Sequence, residues 1–302
     1  MKDRFTRLIL PATGRHFKII SALLLATLLV TLSACSAVKI GYGQLPTLAY
    51  FYLDGYADFN DAQSVQVKGE LNRLQAWHRQ TQLPAYAELL QKLQPTLQAN
   101  ITPAQACSVV ADVRRKLLAV STQAEPALAV LAVSLQPEQL QHMQRKFSRG
   151  NADYRKDFID AKPSATRTKR YEQAVSRAQM LYGSLDEAQL NRIGQLVDQS
   201  SFNAALAYAE RQRRQQDMLQ TLRMSASGKV ESAQTDVRAW LERTLNSPDA
   251  AYRDYVEKMT QESCRNIAEL HNTTTAAQRK KALSVLKGYE QDFRVLASQN
   301  DS

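Results

Sequence analysis

The sequence predicts an all-α protein, and three observations carry that prediction. Apolar residues recur at a spacing of about 3.6 along most of the chain, five segments open with the same helix-start chemistry, and no alternating apolar strand of useful length occurs. Only 10 Gly and 9 Pro stand among 302 residues, too few for the many tight turns of an all-β chain. With 44% hydrophobic and 23% charged residues the chain has a folding, core-forming balance, which excludes disorder and fibrous architectures. The expectation is a multi-helix bundle or helical array of about nine to ten helices.

The N-terminus follows different rules. Lys2, Arg4, Arg7, Arg15 and Lys18 precede an apolar run from Ile19 to Leu32, broken only by Ser21, Thr27 and Thr31. That run falls short of the roughly 20 apolar residues a spanning helix needs, and its basic start and small-residue end describe a secretory signal. It is followed by Leu32-Ser33-Ala34-Cys35, which resembles the lipobox of bacterial lipoproteins. The resemblance implies cleavage before Cys35 and acylation of its thiol, with palmitate among the chains. An uncleaved anchor helix and a plain signal cut elsewhere are the alternatives. Ser36, rather than Asp, follows the Cys, and by resemblance to the Gram-negative lipoprotein sorting rule this implies an outer-membrane protein facing the periplasm. No other stretch is expected to span a bilayer. The organisation expected is a signal peptide over 1–34, a lipidated tether over 35–49, one all-α periplasmic domain over 50–298, and a disordered tail over 299–302.

Cleavage changes the charge and the cysteine count. The first 34 residues carry five basic side chains and one acidic one, so of the net +10 only +6 belongs to residues 35–302. A nucleic-acid partner is therefore not expected, although an anionic envelope polymer is compatible with the remaining charge. Of the three Cys, Cys35 is assigned to lipid, and Cys107 and Cys264 are left as an even pair in an oxidising compartment, where a disulfide is expected.

The helical elements follow in order. Tyr50, Phe51, Tyr52, Tyr56 and Phe59 place five aromatics in ten residues, either as a face packed on the helical core or as a membrane- or partner-binding surface; Tyr50, Tyr52 and Tyr56 are the candidates. Leu71, Leu74, Trp77 and His78 share one helical face, and Leu89, Leu90 and Leu93 continue the pattern. Val109, Val110, Val113, Leu117 and Val120 form the next stripe. Leu140, Met143, Phe147, Tyr154 and Phe158 form one long helix that keeps register through Gly150. Leu190, Ile193 and Val197 precede Val237, Trp240 and Leu241; Tyr252, Tyr255 and Met259 then lead to Leu283, Leu286, Tyr289 and Phe293. Pro84, Pro103, Pro126, Pro137, Pro163 and Pro248 stand where helices are expected to begin, because a missing N–H costs nothing there, and Pro95 where one ends.

The repeated helix start is a capping box. Asn60…Gln63, Thr102…Gln105, Gln136…Gln139, Asp186…Gln189 and Thr275…Gln278 each put a Gln three residues after a residue at the cap position. The cap side chain accepts from the third amide, while Gln reaches back to the cap amide. An eight-residue stretch without an apolar group, Glu210 to Asp217, is expected either as a solvated helix face or as a groove where Arg211, Arg213 and Arg214 meet carboxylates or phosphates of a partner.

Chemistry is sparse. His16, His78, His142 and His271 are isolated, no nucleophile motif or phosphate-cradling glycine loop occurs, and no catalytic residue, cofactor or metal site is expected. Asp54, Asp58 and Asp61 have the spacing of one helical face, a weak acid–base or calcium candidate.

The box pattern resembles the L-T-x-x-Q repeat of small helical periplasmic stress chaperones. Over almost all of the mature chain, Tyr52-Leu53-Asp54-Gly55-Tyr56, Trp77-His78-Arg79 and Leu83-Pro84-Ala85-Tyr86, with Asn151, Asp153-Tyr154 and Phe158, resemble a family of helical Gram-negative lipoproteins of unknown function. Thr274-Thr275 departs from it, where Leu-Thr is more usual. That resemblance implies fold and location but no catalytic residues; the function expected is a non-enzymatic, lipid-anchored binding or chaperone-like envelope factor. The alternative is a structural or assembly lipoprotein that binds peptidoglycan, lipopolysaccharide or an envelope protein complex. An enzyme with an unfamiliar site is the third possibility.

Overall fold

The structure, a computed structural model, describes residues 37–299. The expected signal over 1–34, Cys35 with its Leu32–Cys35 motif, and residues 300–302 of the expected tail lie outside the described residues. Two compact units divide the chain, Met1–Gly43 and Gln44–Ser302. The described part of the first is one short helix, α1 (Ala37–Gly43).

The second unit is helical, with no strand among the described residues. It comprises α2 (Leu45–Ala57), α3 (Asp61–Trp77), α4 (Leu83–Leu93), α5 (Pro103–Ser134), α6 (Pro137–Tyr154), α7 (Pro163–Tyr182), α8 (Glu187–Asp198), α9 (Ala204–Ser225), α10 (Val230–Leu245), α11 (Ala250–Asn272) and α12 (Ala276–Ser298). The all-α prediction holds. Among the described residues, α1 and the start of α2 occupy the stretch expected as a tether.

Local chemistry explains most boundaries. Pro103, Pro137 and Pro163 each stand at a first helical position, as expected. In four boxes the cap side chain and its Gln bond reciprocally, at Asn60–Gln63, Thr102–Gln105, Asp186–Gln189 and Thr275–Gln278. At the fifth, Gln139 Oε1 accepts the Gln136 N–H at 2.9 Å.

One proline corrects the expectation: Pro126 lies inside α5. Pro84 stands in the first turn of α4, as expected, although the chain before it is already helical. Between α3 and α4 the residues His78–Gln82 form a widened turn in which the Leu83 N–H bonds to His78 O. The extra residue per turn lets the chain pass Pro84, whose ring would otherwise meet the carbonyl four residues back. A similar turn, Arg155–Ile159, extends α6 through Phe158, so the long helix read through Gly150 is continuous.

Helix α5 packs against α3, α9, α10 and α11. It is long and apolar enough to cross a membrane by length and composition, a property not expected from the sequence beyond the signal. Here it is tied laterally to two neighbours. Glu125, 5% exposed, receives Arg238 of α10 through Nη2 at 2.6 Å, and Gln234 donates to the same carboxylate. The Cys107–Cys264 disulfide joins α5 to α11 with Cα atoms 5.2 Å apart, as expected from the cysteine count. Asp54, Asp58 and Asp61 do not share a face: α2 ends at Ala57, Asp58 turns left-handed at φ 50, and Asp54 accepts the Phe59 N–H.

Small apolar clusters replace one large core. Ala57, Met143 and Leu219 gather Tyr56, Phe59, Phe147 and Met218 at one place. Elsewhere, two clusters built on Leu97, Tyr182 and Leu286 and on Ala178, Ile193 and Val197 meet at Leu185 and Leu270.

Candidate functional site

The polar run on α9 is neither a solvated face nor an open groove. Glu210 is only 4% exposed; Oε2 accepts Arg213 Nε at 2.8 Å and Ser247 Oγ at 3.0 Å, and Oε1 accepts Arg214 Nε at 2.7 Å. Two turns on, Asp217 accepts Arg213 Nη1 at 3.2 Å and Arg243 Nη2 of α10 at 2.7 Å. Burial alone would raise the Glu210 and Asp217 carboxyls, but the guanidiniums around them outweigh it and hold both below the usual carboxylate range. The carboxylates that Arg213 and Arg214 meet are therefore the chain's own. Hydropathy scores such a stretch as exposed because it cannot see charges at i, i+3, i+4 and i+7 neutralising one another along one face.

Arg211 behaves differently. Its Nε donates to Asn151 Oδ1 of α6 at 2.8 Å, and its guanidinium stands 6.0 Å from the Tyr154 ring centroid. Among the described residues no carboxylate pairs with it. It lies at the wall of a partly open apolar cavity of about 340 Å³ lined by residues of α2, α5, α6, α9 and α10. Tyr52 and Tyr56 line the same cavity, so residues singled out from two separate sequence features, the aromatic run and the polar run, converge there.

The aromatic run divides its labour. Tyr50 is 9% exposed, bonds Ser64 Oγ at 2.9 Å and lies under Lys68 Nζ, so it is a packing residue rather than a partner-binding one. Tyr56 lies between Tyr52, at 5.3 Å between centroids, and Phe147, at 5.6 Å, with both ring pairs tilted. Burial raises the Tyr56 phenol and Tyr52 adds to this, while the charge of Arg211 pulls the other way. Phe51 and Tyr52 are 64% and 66% exposed, and with Leu45 and Leu48 they form an open apolar face on α2.

Sequence reasoning missed the rest of the wall, including Leu131, Met143, Met218 and Trp240, because these residues read as ordinary core. The Trp240 Nε1 is buried without a hydrogen-bond partner. A second cleft of about 580 Å³ between α7, α8 and α11 was also missed. There the half-buried Arg170 lies over Phe202 at 4.6 Å and donates to Val197 O, and Glu262 nearby offsets its charge. No group of three or more His, Cys, Asp or Glu among the described residues could hold a metal ion.

The sequence model of a family of unknown function, DUF6279, matches residues 55–253, about two thirds of the chain. The protein belongs to this family. The DUF6279 span begins at Gly55 and takes in every wall of the cavity except Tyr52 and Leu53. It ends before the part of α11 that lines the second cleft. No curated protein and no solved structure matches the chain.

Proposed function

We propose that this DUF6279 protein is a non-enzymatic binding factor of the bacterial envelope, anchored to the outer membrane by acylated Cys35 and facing the periplasm. In this reading the 340 Å³ cavity receives an apolar group of another envelope component, and chaperone character towards exposed segments belongs to the open apolar face of α2 beside it. The carrying observation is the convergence of Tyr52, Tyr56 and Arg211 on one apolar cavity. The lipobox-like Leu32–Cys35 and Ser36 support the address, and the likeness of the five cap boxes to the L-T-x-x-Q repeat supports the chaperone character. The exposed Leu48, Phe51 and Tyr52 suit a surface held near headgroups.

A photoreactive residue at Tyr56 in living cells tests the binding site, with one at exposed Glu172 as control. Adducts of one defined envelope component from position 56 alone are expected; equal labelling from both positions would count against the reading. Incorporation of labelled palmitate, lost in Cys35→Ala, tests the anchor.

The second reading is a structural or assembly lipoprotein bound to peptidoglycan, lipopolysaccharide or an envelope complex. It draws on Arg145, Lys146 and Arg149 of α6, for which no carboxylate partner occurs among the described residues. Salt-sensitive capture by the isolated polymer would favour it.

A further inference from the structure

We infer that the cavity's occupant is a single acyl chain with an anionic head, a fatty carboxylate, whose head is held by Arg211. The inference rests on the proposal that the cavity is a binding site, and it names the ligand class.

The first ground is the odd position of Arg211 among its neighbours. Arg213 and Arg214, two and three residues on, are neutralised by Glu210 and Asp217. Arg211 is half-buried yet held only by neutral amides: Asn151 Oδ1 takes its Nε, and Asn151 is itself fixed by Gln215 through bonds of 2.7 and 3.1 Å. Such a clamp orients a guanidinium without cancelling its charge. A half-buried cation of this kind is suited to an incoming anion, which it can bind through two parallel N–H donors.

The second ground is the space made for that guanidinium. A Cβ on Gly150 would stand 2.9 Å from Arg211 Nη2, so the terminal nitrogen lies close against the Gly150 backbone, and a side chain there would push the guanidinium aside. Its positive charge reaches both Tyr56 and Tyr154, opposing the effect of burial on each phenol. A second cation, Lys146 Nζ, is 3.9 Å from where a Gly55 Cβ would be, next to Tyr56.

The third ground is what lies beyond the charge. Leu128, Leu131, Leu135, Met143 and Met218 supply an apolar wall, with Trp240 at its side. A volume of about 340 Å³ is near the lower end of the roughly 300–1,000 Å³ of ligand pockets, room for one chain rather than a two-tailed lipid. Charge at the rim and hydrocarbon within is the complement of a fatty carboxylate.

The test uses the full chain carrying Cys35→Ser, with Trp77→Phe so that emission reports Trp240 alone. Dodecanoate, dodecanol and dodecyltrimethylammonium, each below its micellar concentration, are titrated separately. Dodecanoate is expected to bind at least tenfold more tightly than either other head group. Arg211→Gln is expected to remove that margin without changing dodecanol affinity, while Arg211→Lys keeps part of it. Equal affinity for the three, or a margin unchanged in Arg211→Gln, overturns the inference; dodecanol binding in that case leaves the cavity proposal standing. No binding of any of the three to protein with an unaltered melting curve overturns both. If Arg211→Gln fails to fold, the head-group comparison on the parent chain decides.

Discussion

Gln63 and Gln139, on different helices, exchange side-chain amide hydrogen bonds, Gln63 Nε2 to Gln139 Oε1 at 3.1 Å and Gln139 Nε2 to Gln63 Oε1 at 2.8 Å. Gln189 and Gln278 do the same at 2.9 and 2.8 Å. The four side chains follow one rule. Each Oε1 accepts its own cap N–H, and each Nε2 also donates to the carbonyl two residues before the partner's cap: Ser134, Asp58, Thr273 and Ser184 respectively. A motif that starts a helix thus also clasps that helix to another one. The N-termini of α3 and α6 form one clasp, and those of α8 and α12 the other.

The clasp predicts unequal costs for the same substitution. Gln63→Ala or Gln189→Ala strips partners from a buried amide and from a carbonyl, and is expected to cost about 3 kcal/mol. Gln105→Ala, in the exposed box that clasps nothing, is expected to cost about 1 kcal/mol. Denaturant unfolding of the three variants checks this, and a Gln63/Gln139 double-mutant cycle should show coupling above about 0.5 kcal/mol.

The Cys107–Cys264 bond spans 157 residues. Restricting a loop of that length in the unfolded chain is worth about 5 kcal/mol in the chain-entropy model, with measured losses typically about 2–5. Replacing both Cys with Ser is expected to lower the melting temperature by roughly 10 °C. Non-reducing mass spectrometry of the parent should find no free thiol at either position.

His271 sets a pH dependence. Its Nε2–H donates to Ala99 O at 2.9 Å, which leaves Nδ1 to accept the Tyr182 O–H at 3.0 Å, so the buried ring is neutral. Burial lowers the His271 pKa and pushes the Tyr182 phenol up to about 12. The unfolded chain therefore binds this proton first, near pH 6.5, and stability falls as pH drops from there towards the folded value. His78, also lowered by burial, adds in the same direction. Melting curves from pH 7.5 to 5 should slope downward, and His271→Gln should flatten the slope while lowering stability at pH 7.5.

Glu210 and Asp217 act at lower pH. Their lowered folded pKa values mean that the ion network contributes fully at neutral pH and is lost as pH falls below about 4, where the unfolded carboxylates have already taken up protons. Glu210→Ala leaves Arg213 and Arg214 without their shared carboxylate and is expected to destabilise by about 3 kcal/mol at pH 7. Arg243→Gln is expected to cost less, because Arg213 still reaches Asp217. Urea unfolding at pH 7 and pH 3.5 measures both effects.

How much of this was legible follows from range. Helix starts were legible at all five boxes because a cap and its Gln lie three residues apart and need nothing else. The pairing of boxes was not, since Gln63 and Gln139 meet only after the fold has brought together positions 76 apart in sequence. Pro126 misled because proline marks a start only when neighbours do not support its interior position; here Glu125 is anchored to Arg238 and the helix continues. The Glu210–Asp217 stretch reads in sequence as a solvated face or a partner groove because its partners Arg243 and Ser247 lie on another helix and loop. Tyr56 and Arg211 were each noticed, yet only packing shows that they face one cavity.

The central claim, that this cavity binds an apolar ligand, is most directly tested by a neutral, environment-sensitive naphthylamine probe added to the Cys35→Ser chain and to the same chain with Met218→Trp, which fills the cavity from its half-buried wall. The account predicts saturable one-to-one binding that weakens at least tenfold in Met218→Trp while its melting temperature stays within a few degrees of the parent. Absent saturable binding, or binding of equal strength in the two proteins, would contradict it.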